Sequence, residues 1–123
     1  MDNTIDHYFL SSMDTLAYYK IIFEIVKLIP KGRVCSYGVI AHNSGAGITA
    51  RMVGRAMSAS HESADVPAHR VVNSQGKLTG KMHFETPTQM QELLESEGVI
   101  IKNDKVQDFD TIFWNPQEIG FDM

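Results

Sequence analysis

Between residues 14 and 29, apolar side chains stand at 16, 19, 22, 23, 26 and 29, the three-and-four spacing that turns one face of an α-helix to a core. The spacing predicts a helix over 14–29, with Asp14 or Ser12 as its N-cap and with Pro30 and Gly32 stopping it. Residues 1–13 lack such a stripe and are expected to form a flexible tail. "RVCSYG" (33–38) reads as a short extended connection with Val34 turned inward. "YGVIAHNSG" (37–45) then predicts a short helix ended by a turn at 45–47. "ITARMVGRAMSAS" (48–60) predicts a second one that packs through Ile48, Val53, Ala56 and Met57. Further on, "TPTQMQELLESEG" (86–98) predicts a helix with Thr88 as cap, Met90, Leu93 and Leu94 as inner stripe and Gly98 as stop. "VIIKNDKVQDF" (99–109) suits either a strand or an extended tail, and the residues from "FWNP" (113–116) onward carry no strong pattern.

A chain of 123 residues is one domain's worth, and 43% hydrophobic with 21% charged residues is ordinary for a globular protein. The organisation expected is a tail (1–13), a domain (14–102) and a C-terminal extension (103–123) without a clear signal, with no internal repeat. The longest nearly apolar run, "LAYYKIIFEIVKLIP", is broken by Lys20, Glu24 and Lys27, so neither a membrane span nor a signal peptide is predicted. The single cysteine, Cys35, excludes an internal disulfide and any cysteine-rich zinc site, which agrees with a reducing, cytoplasmic compartment. No motif asks for a cofactor or a metal.

Two short helices across a glycine-containing turn make a helix-turn-helix unit, a pattern that many all-α domains share without touching DNA. Charge changes the balance. Residues 31–81 hold seven basic and two acidic residues, a local charge of +5, while the rest of the chain is −9. A basic middle in an acidic chain is the form a local footprint on a polyanion takes, though uneven scatter of surface charge gives the same count. In the second helix Arg51 and Arg55 stand one turn apart, and Ala50 and Gly54 keep the surface between them thin enough for close approach.

Four stretches, "IPKGRVCSYGVIA" (29–41), "ARMVGRAM" (50–57), "PAHRVVNSQGKLTG" (67–80) and "LLESEG" (93–98), carry a resemblance in order and spacing. Over roughly residues 14–100 the chain resembles the C-terminal DNA-binding domain of the O6-alkylguanine-DNA alkyltransferases and, more narrowly, is similar to the alkyltransferase-like proteins. The resemblance implies a mainly α, winged-helix-like, helix-turn-helix DNA-binding domain with short extended segments. It implies minor-groove docking through Tyr37, Thr49, Ala50, Arg51, Gly54 and Arg55. Arg51 would fill the stack vacated by a guanine rotated outward, and Tyr37 would crowd the adjacent phosphate. The lesion pocket it implies consists of Met57, Pro67, Ala68, Arg70, Val71, Gly80 and Lys81.

Where the transferases carry their alkyl-acceptor cysteine, this chain has Ala68, whose methyl has neither lone pair nor acidic proton, so no alkyl group can be transferred to it. The acceptor's helpers match His69 and Glu97, expected here to persist as a hydrogen-bonded structural pair. Cys35 is expected to be a buried core residue away from the loop. Ser60 stands where the family commonly has an asparagine bracing the loop, and Lys81 where many members have arginine or tyrosine. The function implied is non-catalytic recognition of O6-alkylguanine in duplex DNA by a monomer, nucleoid-associated when bound in a bacterium. The lesion would be handed to nucleotide excision repair proteins (UvrA). Two other readings stand beside it: a helix-turn-helix transcriptional regulator, and an enzyme using His69 with Glu97 as an acid/base pair.

Overall fold

A computed structural model of the chain describes residues 4–62 and 65–119. Nothing in the sequence breaks a helix before Pro30, and the first helix, α1 (Thr4–Val26), accordingly starts well upstream of residue 14. From Thr4 on, the stretch read as a tail is helical, and Ser12 and Asp14 lie inside the helix instead of capping it. Its inner face is Ile22, Ile25, Val26 and, just beyond the helix, Ile29, all at most 1% exposed. Leu16, expected in that stripe, is 70% exposed because the core begins a turn further along.

The helix-turn-helix unit is α2 (Tyr37–His42) and α3 (Ala50–Ala59). Ser36 Oγ accepts the Val39 N–H at 3.2 Å and Thr49 Oγ1 accepts the Met52 N–H at 3.2 Å, so each helix has a side-chain N-cap. The turn between them needs left-handed backbone at Gly45 (φ +126°) and Gly47 (φ +86°), conformations that a Cβ would strain. Ile40 and Ala41 of α2 pack with Val53, Ala56 and Met57 of α3 and with α1 in one buried cluster, as the spacing predicts.

Two strands too short to show alternation hold the rest in place. β1 (Cys35–Ser36) runs parallel to β2 (Val71–Val72), pairing Cys35 with Val71 and Ser36 with Val72. Beyond α4 (Gln89–Ser96), which Gly98 stops at φ +92°, β3 (Ile101–Lys102) and β4 (Lys105–Val106) form an antiparallel hairpin, the wing. Its two-residue turn puts Asn103 (φ 53°) and Asp104 (φ 59°) both in left-handed backbone, the turn type whose twist matches paired strands.

The boundary drawn at residue 102 falls inside this hairpin. Val106 joins Val34, Val72, Leu78, Met90 and Leu94 in a second buried cluster, and Trp114 is 1% exposed among α1–α3 residues. The Trp114 N–H donates to the Val34 carbonyl at 2.7 Å, and Val34 returns a bond to Ile112 O of α5 (Phe109–Ile112) at 3.1 Å. Arg33 clamps the same segment, donating to the carbonyls of Ile112 and Phe113 and pairing with Glu118 at 2.9 Å. No helix among the described residues is long and apolar enough to cross a membrane.

Candidate nucleic-acid interface

While Val53, Ala56 and Met57 bury one face of α3, Thr49, Ala50, Arg51 and Arg55 leave the other in solvent. Neither arginine pairs with a carboxylate among the described residues. Three other cations of the basic segment are held: Arg33 by Glu118, Arg70 by Glu97 and Lys81 by Asp104. Lys31, Arg51, Arg55 and Lys77 remain as positive charge without a carboxylate partner among the described residues. A Cβ at Gly54 would meet nothing within 4 Å, so the protein's own packing does not require glycine there. The thin stretch beside the two arginines is room left for something outside the chain.

The arginine face runs into a cleft of about 300 Å³. One wall is Arg51, Gly54, Arg55, Met57 and Ser58 of α3 with Tyr37 at the start of α2. The opposite wall is Thr79, Gly80, His83 and Phe84, and Ala68 contributes its methyl between them. The Tyr37 hydroxyl is hydrogen-bonded to Thr79; burial pushes its pKa up, against the pull of that bond. A Cβ on Gly80 would stand 2.8 Å from that hydroxyl, closer than real Cβ contacts allow. Gly80→Ala is expected to displace the ring, break the bond to Thr79 and lower stability by about 1 to 3 kcal/mol, read by denaturant titration. An unchanged midpoint would show that Tyr37 is free to move aside.

A second cleft of about 530 Å³ adjoins the first, sharing Ala68, His61, His83 and Phe84 with it. Pro67, His69 and Arg70 face this second space and not the first. Below it lies a polar staple. Glu97 Oε2 is 2.7 Å from His69 Nε2 and accepts from the Arg70 guanidinium at 2.7 Å, while its Oε1 accepts the Gly32 N–H at 3.0 Å. Arg70 also donates to the carbonyl of Ile29 at 2.8 Å, so the end of α1, the 67–70 turn and the residue after α4 are tied at one carboxylate. Burial works against the charge on Glu97, but the bonds from Arg70, Gly32 and His69 outweigh it and hold the carboxyl down at about 2. Burial also pushes the His69 pKa below its ordinary value, against the pull of Glu97, so the imidazole is neutral at pH ~7.

The expected pocket therefore needs corrections. Met57, Ala68 and Gly80 line the first cleft, Pro67 and Arg70 lie on the second, and Arg70 is committed to Glu97 and Ile29. Val71 is a core residue, 1% exposed in β2, and Lys81 turns away to Asp104 at 2.6 Å. Ser60 donates to the carbonyl of Met57 at 2.7 Å and closes the end of α3 instead of bracing the loop. Cys35, placed away from the loop by the sequence, pairs with Val71 just after it; yet it lines neither cleft, and burial pushes its thiol up to about 12. Ser58, His61, Thr79, His83, Phe84 and Met90 line the first cleft without having been foreseen. The visible signal was the pair of aromatic side chains, His83 and Phe84, in an otherwise polar stretch.

Residues 17–99 match the family of the 6-O-methylguanine DNA methyltransferase, DNA binding domain. Among curated proteins, alkyltransferase-like protein 1 of Schizosaccharomyces pombe is 38% identical over 84 residues, covering 68% of this chain and 78% of that protein. DNA base-flipping proteins of Vibrio parahaemolyticus and Escherichia coli are 42% and 36% identical, covering 63% and 76% of this chain and 76% and 71% of theirs. Among solved structures, that of S. pombe Atl1 in complex with damaged DNA containing O6-carboxymethylguanine superposes with a TM-score of 0.71 at 34% identity, over 81% of this chain and 96% of that one. A second Atl1 complex with DNA gives 0.69 at 31% identity, with the same coverage.

Proposed function

This chain belongs to the family of the 6-O-methylguanine DNA methyltransferase DNA-binding domain, and from that premise we propose that it is a non-catalytic reader of O6-alkylguanine in duplex DNA. α3 enters the minor groove, Arg51 takes the place of the target guanine in the stack, and the guanine turns into the cleft above Ala68. The observation that carries this reading is the continuity of the two features. An arginine face without carboxylate partners among the described residues opens into a cleft lined by a methyl group where the reacting sulfur of the transferases would stand. Its relatives support the same reading, one group by the name of base-flipping proteins and Atl1 by its complex with damaged DNA. Unstacking costs a few kcal/mol, less for a weakened pair, so rotation itself favours the damaged base.

The enzymatic alternative keeps a neutral imidazole at His69 but loses Glu97 as a proton acceptor. A carboxylate held at about 2 by Arg70, Gly32 and His69 accepts protons poorly at neutral pH. With no acceptor in the cleft, the lesion would have to be passed on, and nucleotide excision repair proteins such as UvrA are the recipients we propose. Recruitment of UvrA to a lesion duplex only in the presence of this protein is the check on that step.

The deciding measurement compares O6-methylguanine duplexes with undamaged duplexes of several sequences, with intact masses of protein and DNA recorded before and after. Tighter binding to damage in every sequence context, with masses unchanged, is expected. Equal affinity for damaged and plain DNA would overturn the reading, and preference for one plain sequence would point to an operator-binding regulator.

Salt supplies a second expectation. Because Arg33, Arg70 and Lys81 are tied to carboxylates, the chain has fewer cations for phosphates than its sequence suggests. With Arg51 committed to the stack, the slope of log affinity against log salt is expected at about −1 to −3, matching Lys31, Arg55 and Lys77 at roughly −0.9 per phosphate neutralised. A slope near zero would remove this face from the interface.

A further inference from the structure

We propose that Ser58, His61 and His83 form a subsite for a negatively charged substituent on the O6 atom of the bound guanine. The proposal rests on the damage-reading function and adds to it the residues that would receive such a substituent. His61 and His83 line both clefts and stand where the two spaces meet beside Ala68, on the path of any group that extends from the base past the missing sulfur. The position of each ring is fixed: His61 sits edge-on to Phe84 at 4.5 Å, and His83 Nδ1 is 3.0 Å from the Ser58 hydroxyl. With Nδ1 so engaged, Nε2 is left as the group His83 can offer to a ligand. Burial, and the neighbouring His83 after it, push the pKa of His61 below its ordinary value, a shift that an anion held between the rings would oppose.

The surroundings favour an anion further. Arg51 and Arg55 line the first cleft and no carboxylate does among the described residues. On the side of the second cleft, Asp65 is paired with Lys27 at 3.2 Å, and His69 and Arg70 are committed to Glu97. Lys81, next along the wall, is held by Asp104, and Tyr37 by Thr79. Among the acids whose side chains are described, Glu85 is then the one without an ion pair that lines either cleft, and it belongs to the second alone.

The test uses two duplexes that differ only in charge, one with O6-carboxymethylguanine and one with its neutral amide, O6-carbamoylmethylguanine. The acid stays ionised from about pH 8 to about pH 6, so a change in preference across that window reports on the protein. The ratio of affinities, acid over amide, is expected to rise about tenfold as pH falls, and phosphate contacts cancel in the ratio. In the His61→Gln/His83→Gln variant the ratio is expected to stay flat across the same pH range whatever the variant's affinity for O6-methylguanine, because acid and amide are compared on one protein. Both side chains are exposed, and either single variant serves if the double one melts too low. A ratio flat with pH in the unaltered protein, or a rise that survives the double substitution, overturns the subsite and leaves the damage reader standing. Binding of neither lesion above plain DNA removes both.

Discussion

Arg51→Ala is expected to weaken binding to an O6-methylguanine duplex by roughly a hundredfold, about 2.8 kcal/mol, and to leave the free protein's unfolding midpoint in place. The asymmetry follows from where the side chain stands. It is exposed near the start of α3, has no carboxylate partner among the described residues, and lines the mouth of the cleft. Truncation therefore costs the fold little, within about 0.5 kcal/mol, but it removes the group that would fill the vacated stack. Arg55→Ala is the matching control. As a phosphate contact it should weaken damaged and plain duplexes alike and reduce the salt slope by about one. Anisotropy of a labelled duplex reads both variants, and a folded Arg51→Ala protein that binds as before would take the finger out of the mechanism.

Glu97→Ala is the second large effect, and its readout is stability. The carboxylate side chain is 7% exposed and the guanidinium it holds is 17% exposed, so removing it strands a charge that water barely reaches. A loss of about 3 to 5 kcal/mol is expected, much of it recovered when Arg70 is replaced by methionine as well, because the stranded charge dominates the cost. Acid gives an independent check. The Glu97 pKa is depressed from 4.5 to about 2, so its contribution is full above about 4.5 and is lost as pH falls toward 2. His69 is lowered too, chiefly by burial, so the folded state resists its protonation and stability begins to fall as pH drops through the ordinary imidazole range. Both groups push the same way. Denaturant midpoints should decline from about pH 6.5 downward, and the limb below about 4.5 should be missing from Glu97→Ala. An acid profile identical in the two proteins would deny Glu97 this role.

The staple explains why His69 and Glu97 can be retained without a nucleophile. Pairing of the two was legible from the resemblance, but Arg70 was assigned to the pocket, because nothing along the chain shows that residues 29, 32, 70 and 97 converge. α3 and α4 were legible because three-and-four spacing recurs over two turns or more, and their inner faces agree with it except at Leu93, which is only half-buried and lines the second cleft. Of β1 and β2, the extended backbone of 33–38 was read but the pairing was not, since a two-residue strand has no alternation to read and its partner lies far off in sequence. The wing did have a local signal, Asn103–Asp104 flanked by Lys102 and Lys105 with Ile101 and Val106 one step out, that the reading of 99–109 as a strand or a tail passed over. The far wall of the cleft, Thr79 to Phe84, is loop and single turn, where periodicity says nothing and burial depends on what the rest of the chain brings near.

Trp114, the sole indole of the chain, lies 1% exposed in the helical core, with its backbone N–H bonded to the carbonyl of Val34, and it lines neither cleft. Its emission is accordingly an optical gauge of the folded state alone, with the short-wavelength maximum of a ring shielded from water. A duplex seated on α3 has no direct route to quench it, and unfolding shifts it to the red. The same spectrum can therefore follow the Glu97 and Gly80 variants through denaturant while DNA is present, which separates loss of grip from loss of fold in a single cuvette.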